Sequence, residues 1–346
     1  MFSERLKSAR KMAGLSLEEL ANKIGGITRQ ALNNYEKGKR KPDSESLIKI
    51  ANALGLRPEY FLRKDIVKVG VFEYRKKSKL GVKEQNKIEE LARDIIERYI
   101  EIEDILRIKN KFENPLKSLI IKEPEDIEKA AKLLRDKWEL GLNPIPKLIE
   151  TLEEKELKVV SLEANENFDG LAADTGNFPV IMVNKNIKDI VRLRFTVAHE
   201  LGHLILNQGS TKTDKEKEKL CHRFAGAFLL PDEILISIIG SARKSLTLQE
   251  LISLKEDFGI SIQAIAARLH DLGIINDNMY RNFNITIRRR KWNVNEPGKY
   301  PGSENAERFE NLVFRAVSEE IISISKAASL LNCSIDELEG RLEVVV

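Results

Sequence analysis

One stretch of the sequence decides the fold of the second half of the chain: FTVAHELGH, at residues 195–203. It contains the pattern H-E-x-x-H within a segment whose periodicity predicts a helix over 188–207. Residues four apart share one face of a helix, so the imidazoles of His199 and His203 can converge on a single metal ion. Glu200 can reach a water on that metal without entering the coordination shell, as a general base must. The stretch therefore predicts a metal-dependent hydrolytic site with Glu200 as its catalytic base.

A catalytic metal site also needs a third protein ligand and one open position. The next predicted helix, over 214–229, offers Glu218 and His222, which lie four residues apart on one face. Cys221 is a further candidate by its chemistry, although a single cysteine in an apolar helix is more often a small core residue. The residues alone leave the choice between Glu218 and His222 open.

These two helices resemble those of the ImmA/IrrE-type metallopeptidases, in the group that carries an N-terminal XRE-type helix-turn-helix. The resemblance rests on residues 192–204 and 218–231, on PIP at 144–146 and on FDGL at 168–171. It implies a zincin-like α+β peptidase domain that binds Zn²⁺ or Mn²⁺ and cleaves a protein or peptide, for which a repressor is one candidate. The family's third ligand opens the motif E-x-x-A-N-x-F-A and corresponds to Glu218. Cys221 and His222 depart from this motif, and His222 stands where the family has Asn.

The first 65 residues are basic, with 14 Lys and Arg against 8 Asp and Glu, whereas the whole chain carries only +4. Residues 4–62 resemble the XRE (lambda-repressor-like) helix-turn-helix family, with predicted helices at 17–24 and 29–37 around Gly25-Gly26. Gln and Asn can pair with adenine and Arg with guanine, and lysines suit phosphates. The candidate DNA-binding residues are Thr28, Arg29, Gln30, Asn33, Asn34, Lys37, Lys39 and Arg40. The resemblance implies a double-stranded DNA operator as partner and a homodimer, since such heads bind paired half-sites.

The remaining periodicity predicts a mainly helical chain with a small β-sheet, an α+β architecture behind an all-α head. We expect a helix-turn-helix domain over 1–65, a connector over 66–124, a metallopeptidase domain over 125–240 and a helical region over 241–346. Within the connector we expect a strand at 67–74 and a long helix at 83–106, whose apolar stripe packs on a neighbouring domain or forms a dimer contact. Further predicted elements are helices at 125–140 and 144–154 and strands at 157–162, 168–172 and 179–183. The last strand is either an ordinary inner strand or one that binds a peptide at its edge.

Composition disfavours several classes of protein. No run of about 18 apolar residues is present and the N-terminus lacks an apolar signal segment, which favours a cytoplasmic protein without a membrane partner. Two cysteines argue against a disulfide framework. The basic run RRRKW at 288–292 suggests a second nucleic-acid patch or, more commonly, the solvated end of a strand.

Two functions remain for this combination of features. The first is a DNA-binding regulator whose metallopeptidase domain hydrolyses a peptide bond in a protein target. The alternative is a non-enzymatic transcriptional regulator or antitoxin-like DNA-binding protein with a structural or ligand-sensing metal pocket. Glu200 favours the enzyme, because a structural metal site does not need this carboxylate.

Overall fold

The computed structural model describes residues 2–63, 81–109, 111–175, 178–209 and 212–342. The described helices are α1 (Phe2–Met12), α2 (Leu17–Ile24), α3 (Arg29–Glu36), α4 (Ser44–Leu54), α5 (Val82–Ile105), α6 (Asp126–Lys137), α7 (Leu148–Glu154), α8 (Ile190–Ile205), α9 (Asp214–Leu229), α10 (Asp232–Ile239), α11 (Leu248–Phe258), α12 (Ile262–Asp271), α13 (Asp277–Arg289), α14 (Arg308–Ser318), α15 (Ile324–Leu331) and α16 (Ile335–Arg341). A 3-10 helix spans Pro58–Leu62, and the strands are β1 (Lys158–Leu162), β2 (Gly170–Asp174) and β3 (Pro179–Asn184). The predicted mainly helical architecture with a small sheet is confirmed.

The described residues fall into two compact units. The first contains 2–63, 81–109 and 307–342, and the second contains 111–306. The strand predicted at 67–74 lies outside the described residues. No helix in the described ranges is long and apolar enough to cross a membrane.

The first unit begins with the predicted helix-turn-helix. Ser16 and Glu19 form a reciprocal capping box at the start of α2, and Thr28 caps α3 by accepting from the backbone N–H of Ala31. Leu32 and Tyr35 of α3 are buried in the core of this domain. The turn between the two helices contains Gly25 and Gly26, both with positive φ, a conformation that glycine adopts without steric cost. The local sequence thus encodes both the helices and their sharp connection.

The amphipathic stripe of α5 is covered within the first unit. Ile88, Tyr99 and Ile102 are fully buried, and α5 packs against α1 on one part of its length and α14 on another. A buried ion pair between Arg5 and Glu97 joins α1 to α5. The interpretation of the stripe as a packing surface is therefore confirmed.

The sheet of the second unit has the order β1-β3-β2, with β1 parallel and β2 antiparallel to β3. Because β3 is the central strand, the hypothesis that 179–183 binds a peptide at its edge is wrong. Its sequence PVIMVN is buried at all six positions, as expected for an inner strand covered on both faces. β2 begins at Gly170 rather than 168, since the Asn184 side chain binds the carbonyls of Ala164, Asn165 and Phe168 and holds that segment as a loop.

Three further elements differ from their predictions. The helix predicted from 144 begins only at Leu148, because a residue before proline avoids the helical region and Pro144-Ile145-Pro146 contains two prolines. The helix α10 was not predicted, and α13 was predicted only as part of the helical region over 241–346. The run 288–292 lies at the end of α13, so its interpretation as a strand end is wrong.

Candidate metal centre

The two helices that carry the candidate ligands are fixed at their starts. Asp189 caps α8 by accepting from the backbone N–H of Val191, and Thr213 with Glu216 forms a capping box on α9. Gly202 lets the helices approach closely, because a Cβ there would lie 3.4 Å from Cα of Cys221. The approach brings the H-E-x-x-H face of α8 against the first half of α9.

Three side chains converge between these helices. Nε2 of His199 lies 3.1 Å from Nε2 of His203, and each of these nitrogens lies 3.2 Å from one carboxylate oxygen of Glu218. Ligand atoms about 2.0–2.1 Å from a tetrahedral metal stand roughly 3.3 Å apart, close to these separations. The donor set and its spacing therefore fit a zinc-like ion.

The two imidazoles favour the ionised form of the Glu218 carboxyl. Hydrogen bonds from His199 and His203 hold the pKa of this carboxyl well below its usual range, against the opposing effect of burial. Glu218 is thus stabilised as a carboxylate, the form in which it can bind a metal.

A second layer of contacts supports His203. Its Nδ1 lies 3.3 Å from Sγ of Cys221, and the side-chain amide of Gln208 donates to the same sulfur at 3.0 Å. Cys221 is fully buried and stays outside the group of three converging donors. Its contact with the far side of the ring was not predicted, since the sequence indicated only a core residue or a ligand.

Glu200 is buried beside the three donors, with 3% of its surface exposed. It faces the start of β2, where a Cβ at Gly170 would lie 3.3 Å from Cγ of Glu200 and 2.7 Å from Cγ2 of Thr196. A side chain at position 170 would therefore collide with α8. This steric restriction explains why the FDGL segment has glycine at position 170.

His222, the alternative ligand, lies at the exposed edge of the centre. Its ring centroid is 4.3 Å from that of His199, and its ring stacks on Phe195 at 5.9 Å. It is not among the three residues whose donor atoms converge. The geometry thus brings Glu218 together with the two helix ligands and leaves His222 beside them.

A buried ion pair anchors the helix that carries H-E-x-x-H. Arg194 pairs with Glu304, and both side chains have no solvent exposure. The carboxylate of Glu304 also accepts from the backbone N–H groups of Leu148 and Ile149, each at 2.9 Å. Arg194 donates in addition to the carbonyl of Ile145 at 2.7 Å. The sequence alone does not reveal this link, because its partners lie 110 positions apart and carry no recognisable motif.

The predicted DNA-binding residues divide by exposure. Gln30, Lys37, Lys39 and Arg40 are exposed, whereas Asn33 and Asn34 are half-buried. The hydroxyl of Thr28 accepts the capping hydrogen bond at the start of α3. Arg29 is exposed, and its Nε lies 3.7 Å from a carboxylate oxygen of Glu18. The exposed residues at the start and after the end of α3 are therefore available to a partner.

Comparisons with known proteins agree with this geometry. Residues 6–61 match the helix-turn-helix family, and residues 153–270 match the IrrE N-terminal-like domain, of the peptidase M78 family. A stretch of 63 or 64 residues is similar to Bacillus subtilis regulators, among them two HTH-type transcriptional regulators. One is the uncharacterised HTH-type transcriptional regulator YqaE, 46% identical over 63 residues that make up 18% of this chain and 53% of that protein. The other is the HTH-type transcriptional regulator ImmR, 41% identical over 64 residues that make up 18% of this chain and 50% of that protein. The chain thus spans about half the length of the curated relatives it matches.

The chain is therefore a helix-turn-helix protein of the XRE type with a second, IrrE-like domain. This combination confirms the resemblance to the ImmA/IrrE group in which a DNA-binding head precedes a domain of the peptidase M78 family.

Proposed function

We propose that the IrrE-like domain is a zinc-dependent metallopeptidase that hydrolyses a peptide bond in a protein target. The observation that carries the proposal is the convergence of His199, His203 and Glu218 next to the buried carboxylate of Glu200. A structural metal site needs no such carboxylate. Zinc is the metal we propose, with Mn²⁺ as the alternative, since two imidazoles and one carboxylate are a common donor set of zinc peptidases.

The chemistry then divides between the metal and one protein carboxylate. When bound, the metal would polarise the scissile carbonyl and lower the pKa of a water molecule toward neutrality. Glu200 accepts the proton of the attacking water and delivers it to the leaving amine. Its position on α8, with Cγ 3.3 Å from where a Cβ at Gly170 would lie, supports this role.

The substrate is proposed to lie along β2. This strand is at the edge of the three-stranded sheet, and its first residue, Gly170, touches Glu200. An extended peptide that pairs with β2 would bring one of its carbonyls to the centre. We assign His222 to the substrate rather than to the metal, because it is exposed beside His199 and outside the converging donors. A repressor is one candidate target.

The head is proposed to bind a double-stranded DNA operator as a homodimer. Gln30 is exposed near the start of α3, where a side chain can contact a base edge, and Lys39 and Arg40 follow where phosphates would lie. Dimeric heads of this type read two half-sites about one helical turn apart. Such a protein would act as a regulator at the DNA and as a peptidase on its target.

The decisive experiment replaces Glu200 with Gln, which has the same shape but accepts no proton. Metal content, thermal stability and cleavage of both a fluorogenic peptide library and the chain itself are measured for wild type and Glu200→Gln. We expect unchanged metal and stability and a rate about 100- to 10,000-fold lower. A variant that cleaves at the wild-type rate contradicts the mechanism. If neither protein cleaves while both regulate transcription equally, the non-enzymatic alternative holds.

A further inference from the structure

A dense group of cations outside the metal centre lies on α13 and directly after it. Five cations, Arg281 and the four residues 288–291, fall within eleven positions, and no acidic residue occurs from 278 to 295. With these five included, the second unit, 111–306, has 29 Lys and Arg against 29 Asp and Glu. Without the five, the same unit would be net negative. The cluster is thus a local concentration of positive charge on a neutral body.

All five cations are exposed. Ile287 of α13 is buried, whereas Arg281 and Arg288 are exposed and lie seven residues apart on one stripe of the helix. Within the part of the chain that the structure describes, none of the five forms an ion pair. Arg290 lies over the ring of Trp292, with 5.2 Å between its guanidinium carbon and the ring centroid.

Some exposed cations elsewhere in this unit are paired with a carboxylate. Lys132 pairs with Glu233 and Arg192 with Asp169, although all four side chains are well exposed. A basic last turn is favourable at the negative end of a helix, but one or two residues satisfy that effect. Five exposed cations that form no ion pair with the described residues exceed what the helix end requires, and they repel one another until an anion is bound.

We propose that Arg281 and residues 288–291 form a second nucleic-acid contact, which binds the phosphate backbone of double-stranded DNA without reading its sequence. From Arg281 to Arg288 the helix rises about 10 Å, a length over which one DNA strand carries about three phosphates. The exposed side chains between them include Asn282, which can also donate to phosphate oxygens. A membrane surface fits less well, because Ile285 is the one large apolar side chain on this face of the helix.

The proposal rests on the proposed DNA binding of the head and extends it. A second contact on the same chain acts at a high effective concentration once the head is bound, so a weak, unspecific site gives a measurable gain. DNA that extends beyond the operator would then bind the whole chain more tightly than the operator alone. The peptidase-like domain would remain close to the DNA.

The test uses the full chain and a mixed-sequence 40-base-pair duplex, titrated by fluorescence anisotropy between 50 and 200 mM salt. The patch variant carries Arg288→Gln, Arg289→Gln and Lys291→Gln. The matched control carries Lys117→Gln, Lys137→Gln and Lys188→Gln, three exposed lysines dispersed over the same unit. We expect the patch variant to flatten the slope of log affinity against log salt by about 2 to 3, since each phosphate contact contributes about 0.9. The control should leave the slope within a few tenths of wild type.

A head variant, Lys39→Gln with Arg40→Gln, separates the two proposals. If the head variant loses affinity while the patch variant matches wild type and control, the second contact is overturned and the head's role stands. If the patch variant loses affinity and the head variant does not, the patch stands and the DNA-binding role of the head is overturned. A patch variant that detaches from phosphatidylserine vesicles with unchanged DNA binding also overturns the proposal. Circular dichroism and metal content confirm that each variant is folded.

Discussion

Nδ1 of His203 lies 3.3 Å from Sγ of Cys221, on the side of the ring opposite the nitrogen that faces Glu218. If Nε2 holds a metal, Nδ1 carries the ring proton and donates a hydrogen bond to the sulfur. This hydrogen bond fixes both the tautomer and the orientation of the ring. The cysteine that departs from the family motif therefore acts as a support for a ligand.

We expect Cys221→Ala to weaken metal binding about 10-fold or more, the low end for loss of a contact that orients a ligand. Zinc affinity is measured by competition with a chromogenic chelator. Cys333→Ala is the matched control, because this second cysteine lies in the other compact unit. Equal affinities of the two variants would contradict the supporting role.

Replacement of the third ligand should distinguish Glu218 from its neighbour His222. We expect Glu218→Ala to lose most of its bound metal, because two imidazoles alone leave the ion without its only anionic ligand. His222→Asn, which restores the family residue, should retain the metal and change cleavage only. Metal per chain is determined by mass spectrometry after dialysis. A metal-free His222→Asn beside a metal-loaded Glu218→Ala would reverse the assignment.

Two substitutions in the head should affect DNA binding differently. Gln30→Ala should cost about 1–3 kcal/mol at the preferred operator and nothing on random DNA, because a base contact carries sequence information. Lys39→Ala should weaken binding to all sequences alike and reduce the salt slope by about 1. Binding is measured on a selected operator and a scrambled duplex. Equal losses of Gln30→Ala on both duplexes would exclude base recognition by this residue.

Glu304→Ala should destabilise the second unit by about 3–5 kcal/mol. The change leaves the buried guanidinium of Arg194 uncompensated and removes the acceptor of two backbone N–H groups. Glu154→Ala, at an exposed position of α7, is the control and should cost less than about 0.5 kcal/mol. Urea unfolding of both variants provides the free energies. Similar values would mean that water or another residue satisfies Arg194.

The sequence predicted most accurately those helices that depend on interactions between residues close together in the chain. The capping residues Ser16, Thr28 and Thr213 and the four-residue spacing of His199 and His203 are local signals, and their helices form as expected. The bounds of α13 were not predicted within the helical region over 241–346. Its sequence DNMYRNFNITIRR is rich in Asn and β-branched residues, which have low helix propensity, so its formation depends on packing. The central position of β3 was not settled either, because strand order is set by tertiary contacts.

The ion pair between Arg194 and Glu304 determines where this chain can be divided for expression. A fragment that ends at residue 270, the boundary of the family match, keeps every candidate ligand but removes Glu304. In this fragment, Arg194 of the H-E-x-x-H helix would have lost the carboxylate that balances its charge. Such a fragment is expected to aggregate. A fragment of 111–306 retains the carboxylate. Recombinant boundaries for proteins of this architecture should follow the buried charge rather than the limits of homology.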